Sequence, residues 1–206
     1  MTGPVIGAVG GVALVLAGVY LLALPLLQHR RHLAMVDLLR TMSPVAVGHL
    51  LVRPARPSDA AAILESMDQD FCEANGWSRD HERAVRAQLD TFDPAQLGYL
   101  SVCHAIDGSV LGFGTVHHVS RRRSRCSVGF SLLPSRRLQG LGPGAFAAVV
   151  EAIHRAGICT ISVGTRQSNT AMITCVSRAG GIEVSRRPAR LPDGARPESI
   201  WFELRS

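Results

Sequence analysis

Arg137-Leu138-Gln139-Gly140-Leu141-Gly142 constrains this chain more than any other stretch. It follows the apolar run Val128-Gly129-Phe130-Ser131-Leu132-Leu133 and precedes Phe146, Val149, Val150 and Ile153, which are spaced for one face of a helix. A strand, a glycine turn and a helix in that order specify an α/β unit, and the same geometry makes an anion site. Gly140 and Gly142 lack Cβ atoms, so the backbone can turn tightly and approach a ligand closely. The first N–H groups of such a helix have no intrahelical partner and carry the positive end of its dipole. Each contact of this kind is worth about 0.3–2 kcal/mol. Pro143 suits the first helical turn, where its φ is already set, at the loss of one donor.

The spacing excludes two familiar phosphate loops. A Walker A loop ends in Gly-Lys-Ser/Thr, and a dinucleotide fingerprint needs one more leading glycine. Arg-x-x-Gly-x-Gly instead resembles the acetyl-CoA pyrophosphate loop of the GNAT superfamily of N-acetyltransferases, Gln/Arg-x-x-Gly-x-Gly/Ala between a strand and a helix. The resemblance extends in both directions. Downstream, the alternating strand Ile158–Val163 leads to Asn169 at a helix start and to Gly180 at its end. Upstream, Leu51–Ala60 matches the opening strand and first helix start, with Ser58 or Asp59 as cap and Ile63, Leu64, Met67 and Phe71 as apolar stripe. It covers residues 49–206.

The resemblance implies acetyl transfer from acetyl-CoA to an amine: a small amine, an amino acid derivative or a protein N-terminus. It implies that Phe130, Ser131, Leu132 and Leu133 offer backbone to the pantetheine arm. Arg137, Leu138, Gln139, Gly140, Leu141, Gly142 and Gly144 would surround the pyrophosphate, and Asn169 would touch the CoA arm. No metal is expected. Two departures stand out. The Tyr that many members carry seven residues after the Asn, as acid toward the thiolate, is Val176 here. The segment Arg125–Phe130 lacks the Glu that many members use as base. His117 and His118 are the candidate replacements, since imidazole titrates near neutrality, though adjacent strand residues face opposite ways. Glu73, Asn75 and Trp77 fall where the family builds its acceptor wall. The alternative reading is a non-catalytic acyl-CoA-binding module tethered at a membrane.

The expected fold is α/β, a GNAT-like mixed central sheet with helices on both faces, preceded by one transmembrane helix. Strands are predicted at Leu50–Arg53, Gly98–Ile106, Val110–Val119, Arg125–Leu133, Ile158–Val163, Ile182–Arg186 and Ser199–Arg205, with Asp107-Gly108 as a hairpin turn. Helices are predicted at Ser58–Ala74, Ser78–Phe92, Gly144–Ala156 and Asn169–Ala179. The domain reading is a transmembrane helix at 1–28, a juxtamembrane linker at 29–48 and the catalytic domain at 49–206.

The membrane reading rests on Gly3–Leu27, which carries no charged side chain. As a helix it would run about 37 Å, enough to cross a hydrocarbon core of about 30 Å. A cleaved signal peptide would need a basic leading region and a shorter apolar run. Arg30 and Arg31 behind the span place the domain in the cytoplasm, so the expectation is a single-pass cytoplasmic-membrane protein. A start at Met35 or Met42 would give a soluble cytoplasmic chain instead. All 22 basic residues are Arg, and the net charge of +6 favours polyanions, but no recognition helix or aromatic-studded basic sheet points to nucleic acid. The basic run Arg121, Arg122, Arg123 and Arg125 reads as a solvated turn or as a contact for anionic headgroups. Five cysteines, odd in number and without Cys-x-x-Cys spacing, fit a reducing compartment, with Cys103, Cys126 and Cys159 read as core residues.

Overall fold

The structure, a computed structural model, describes residues 26–206. One sheet runs through it in the order β1-β2-β3-β4-β5-β6-β8-β7. The strands are β1 Val45–Val47, β2 Leu50–Pro54, β3 Tyr99–His104, β4 Val110–Ser120, β5 Arg125–Leu132, β6 Thr160–Arg166, β7 Ile182–Pro188 and β8 Glu198–Arg205. Every neighbouring pair is antiparallel except β5 and β6. That exception follows from chain order, because α5 (Gly142–Arg155) carries the chain from the end of β5 back to the start of β6.

Helices cover both faces, as expected. A first helix, α1, covers residues 26–41 of the described chain. It joins α5 and α6 (Thr170–Arg178) over the main core, where Phe146, Val149, Ile153, Ile161 and Val176 are fully or almost fully buried. On the other face α2 (Ala60–Ser66), α3 (Gln69–Asn75) and α4 (Arg79–Thr91) pack Ile63, Met67, Phe71, Trp77 and Leu89 against Tyr99 and Phe113.

Two expectations change. The single helix Ser58–Ala74 is two helices, α2 and α3, broken at Met67-Asp68. Asp68 takes extended backbone geometry and accepts the Phe71 N–H at 3.0 Å, which caps α3 and ends the continuous stripe. The linker 29–48 is part of the folded domain. Met35, Leu38, Leu39 and Met42 recur at helical spacing and are buried in the core beside Val45 of β1, a strand the sequence reading did not anticipate. A chain beginning at Met42 would lack Leu38 and Leu39, which are 0% and 2% exposed.

The predicted transmembrane helix lies outside the described residues except for its last positions, where Leu26 and Leu27 open α1 with exposed side chains. Among the described residues no helix is long and apolar enough to cross a membrane. All five cysteines are free; Cys103, Cys126 and Cys175 are buried, whereas Cys159, expected in the core, is exposed just ahead of β6.

A buried ion pair ties β2 to the start of α2. Arg53 donates to both carboxylate oxygens of Asp59, at 2.6 and 3.0 Å, and Asp59 also accepts from the Arg56 N–H and the Ser101 hydroxyl. Burial pushes the Asp59 carboxyl up, but these donors outweigh it and hold it below its ordinary value.

Candidate functional site

The parallel pair β5–β6 is joined at only Arg125↔Thr160, Cys126↔Ile161 and Ser127↔Ser162. Beyond Ser127 the strands part. β5 continues to Leu132 with β4 as its partner, and β6 continues to Arg166 with β8. A wedge therefore opens inside the sheet, edged by backbone. Leu133 donates to the Leu111 carbonyl across the β4 side at 2.9 Å. The alternation of an antiparallel ladder then turns Ser131 and Gly129 toward β4 and turns the N–H and C=O groups of Phe130 and Leu132 into the wedge. Of the four residues named for the pantetheine arm, Phe130 and Leu132 turn their backbone toward the wedge, the Leu132 carbonyl already accepting from Arg137, while Ser131 and the Leu133 N–H face β4. The Phe130 ring packs on Phe146 of α5, centroids 5.7 Å apart.

The glycine loop closes the mouth of this wedge. Helix α5 begins at Gly142, two residues before the predicted Gly144, with Pro143 in its first turn and no side-chain cap. Ala145 donates to the Leu141 carbonyl, the first helical bond. The N–H groups of Leu138, Gln139, Gly140, Leu141, Gly142 and Gly144 have no hydrogen-bond partner among the described residues. Gly140 takes φ +76°, open to glycine at no steric cost, and a Cβ on Gly142 would lie 3.0 Å from the Cys175 sulfur. Leu138 adopts φ +59° with its side chain fully exposed. Consecutive donors at a helix start, with the wedge beside them, form a cradle for an anion.

Arg137, expected beside the pyrophosphate, has its guanidinium engaged within the fold. Its guanidinium donates to both oxygens of Asp68, at 2.6 and 3.1 Å, to the Ser66 carbonyl at 3.1 Å and to the Leu132 carbonyl at 3.2 Å. Its own N–H bonds the Pro134 carbonyl. Arg137 thus braces the loop against the break between α2 and α3. Partial burial pushes the Asp68 carboxyl up, but Arg137 and the Phe71 N–H outweigh it and keep it ionised. Asp68 was missed in the sequence; its signal, a helix cap interrupting an apolar stripe, was there, but its partner lies far along the chain. Gln139 turns its amide back to the Ser135 carbonyl at 2.7 Å. Asn169 caps α6, accepting the Met172 N–H at 3.0 Å, so its oxygen is committed locally.

The candidate proton-transfer groups are not brought together. Val176 is fully buried and touches Gly181. His117 pairs with Ser127, five residues along β4 from the Gly112↔Leu132 pair, a separation of about 17 Å at 3.3–3.4 Å per residue. His117 and His118 stand instead beside α1. Asn75 bonds the Phe71 carbonyl, and Trp77 packs edge-on against Phe71 at 5.3 Å, a packing anchor. Glu73 offers its backbone carbonyl to Arg166 at 2.8 Å. Arg166, which the sequence gave no reason to single out, ends β6 with its Nε buried and without a partner among the described residues. On the α3 face, Arg125 bridges Ser162 and Glu203, and a hydrogen bond from Arg205, with Arg125 adding to it, holds the Glu203 carboxyl low. Among the described residues no cluster could hold a metal ion.

Comparison with known proteins bears on this geometry. Residues 49–182 match the family model described as acetyltransferase (GNAT) domain. An acetyltransferase of the GNAT family from Bacillus anthracis superposes with TM-score 0.65 at 14% identity, over 79% of this chain and 98% of that one. The ribosomal-protein-S5-alanine acetyltransferase from Vibrio fischeri gives TM-score 0.62 at 16% identity, over 79% and 96%. YncA from Salmonella typhimurium, solved with its cofactor acetyl-CoA, gives 0.55 at 18%, over 77% and 94%. At these identities the likeness is one of fold. No curated protein matches the chain by sequence.

Proposed function

Since the chain belongs to the GNAT acetyltransferase family, we propose that it moves the acetyl group of acetyl-CoA to an amine while tethered to the cytoplasmic membrane. The observation that carries the donor half is the row of unpartnered N–H groups from Leu138 to Gly144 at the mouth of the wedge. These donors suit a pyrophosphate, and the backbone edge of Phe130 and Leu132 suits the amide-bearing pantetheine arm. Acetyl-CoA supplies an activated thioester, so the chain's own residues need only hold it, exclude water and admit a neutral amine.

Proton transfer is where the reading narrows. Among the candidate acids and bases, Val176 is apolar, the histidines stand at the far end of β4, and Glu203 is held ionised by arginines. The amine therefore loses its proton to solvent, and turnover is slow. The acceptor approaches from the α3 face, where the unneutralised Arg166 favours an anionic group on it. The absence of a placed acid or base also favours a second reading, a tethered module that binds acyl-CoA without turning it over.

The tether is the uncharged stretch Gly3–Leu27 with Arg30 and Arg31 behind it. Full-length protein should resist carbonate extraction from membranes, and release by carbonate would remove the tether. A panel of primary amines, amino acids and peptides incubated with acetyl-CoA and full-length protein, read by mass spectrometry, tests the activity. Acetyl-CoA binding with no acetylated product across the panel would favour the binding module; no binding at all would overturn the donor site.

A further inference from the structure

A second basic site lies away from the wedge. β3 begins at Tyr99, opposite Thr115, so β4 runs on past its neighbour, and the register shifts between His117 and Ser120. His118 takes φ +51° there, which turns the two imidazoles to the same side with ring centroids 6.4 Å apart. α1 lies against this end of β4. Between them is a cavity of about 320 Å³ whose charged and titratable lining is Arg31 and His32 from α1 and His117 and His118 from β4. Gln28, Met35, Leu97 and Val116 complete the lining, which holds no carboxylate. The nearest acidic residue along α1, Asp37, is paired with Arg121 at 3.0 Å.

We infer that this cavity binds the phosphate of an anionic membrane lipid headgroup. The inference rests on the proposed tether, because position selects the source of the phosphate. The uncharged stretch ends at Leu27 and the cavity's lining begins at Gln28. At about 1.5 Å per helical residue, Arg31 and His32 stand within about 8 Å of the end of that stretch, at headgroup depth if it is inserted. One guanidinium and three imidazoles from two elements, with no acidic neighbour in the lining, match a phosphomonoester or phosphodiester. The protein packed around the His117 ring lowers its affinity for a proton, and the neighbouring His118 adds to this. A phosphate between the rings reverses that balance, so lipid binding takes up protons and strengthens as pH falls toward 6.

Full-length protein in neutral maltoside micelles, titrated with phosphatidic acid, phosphatidylcholine or inorganic phosphate, tests this through the ring resonances of His117 and His118. Phosphatidic acid should raise the His117 titration midpoint by about one unit, the effect of an opposite charge within about 4–6 Å. Half of the shift should appear at a concentration at least tenfold below that needed with inorganic phosphate. Arg31→Gln and His118→Gln should each remove it while leaving acetyl-CoA binding unchanged. No shift, an equal response to phosphatidylcholine, or a shift that survives Arg31→Gln would overturn the site. An equal response to inorganic phosphate would overturn the lipid as its source. Carbonate extraction tests the tether separately, so failure of one does not hide in the other.

Discussion

At the mouth of the β5–β6 wedge the useful groups are backbone N–H donors, fixed by φ values that only the local chain could set and braced by Arg137 and Asp68. Toward the other end, near β6 and α3, the useful groups are side chains, with Arg125 engaged by Ser162 and Glu203 and Arg166 held by the Glu73 carbonyl. The first region is preorganised before any ligand arrives, so its donors lose little freedom on binding. The second holds no residue poised to take or give a proton.

The contrast can be broken most sharply at Gly142. Gly142→Asp sets a side chain against Cys175 and a negative charge in the cradle. Acetyl-CoA affinity should fall at least about 100-fold, roughly 2.8 kcal/mol at 1.4 kcal/mol per decade, measured by calorimetry. An affinity within threefold of wild type would mean that the cradle is not where the pyrophosphate sits.

Next in size is the brace. Arg137→Ala and Asp68→Ala should each weaken acetyl-CoA binding about tenfold, or about 1.4 kcal/mol. The double variant should be no worse than either, since both remove the same strut. If Arg137 touched the phosphate directly, Asp68→Ala would free its charge and tighten binding, which is the opposite sign.

These residues also mark how far the sequence could be read. The loop from Arg137 to Gly142 was legible because its conformation is local: glycines and a proline decide it within six residues. Helix α5 started two residues early because Gly142 itself is its first turn. Asp68 was not legible in its role, because its partner is Arg137, and only folding brings α3 to the loop. The helix α1 was misread for another reason. Met35, Leu38, Leu39 and Met42 do show helical spacing, but the apolar stretch before them made residues 29–48 read as a juxtamembrane linker and not as a helix of the core. Arg166 left no trace at all, since nothing in a strand-terminal arginine announces a buried Nε.

Smaller effects test the empty half. Val176→Tyr, which the family pattern suggests as a restored acid, should lower stability by about 1–3 kcal/mol through overpacking of a fully buried site, with no gain in turnover. His117→Gln and His118→Gln should change turnover by less than threefold, and the rate should climb with pH until the acceptor amine is neutral. A plateau near neutrality that either variant abolishes would show that a histidine serves as base after all.

The smallest effect is on stability alone. His117 has a lowered pKa, so the unfolded chain binds more protons than the native one just below the ordinary imidazole value. Stability should therefore decline as pH falls through about 6.5, and His117→Gln should flatten that decline in thermal melts.

The most direct test follows the amides themselves. Titration of ¹⁵N-labelled full-length protein with acetyl-CoA should move the N–H resonances of Leu138, Gln139, Gly140, Leu141, Gly142 and Gly144 furthest, downfield and saturably, with Phe130 and Leu132 next. Saturable binding that leaves those amides in place and shifts another region would contradict the account at its centre.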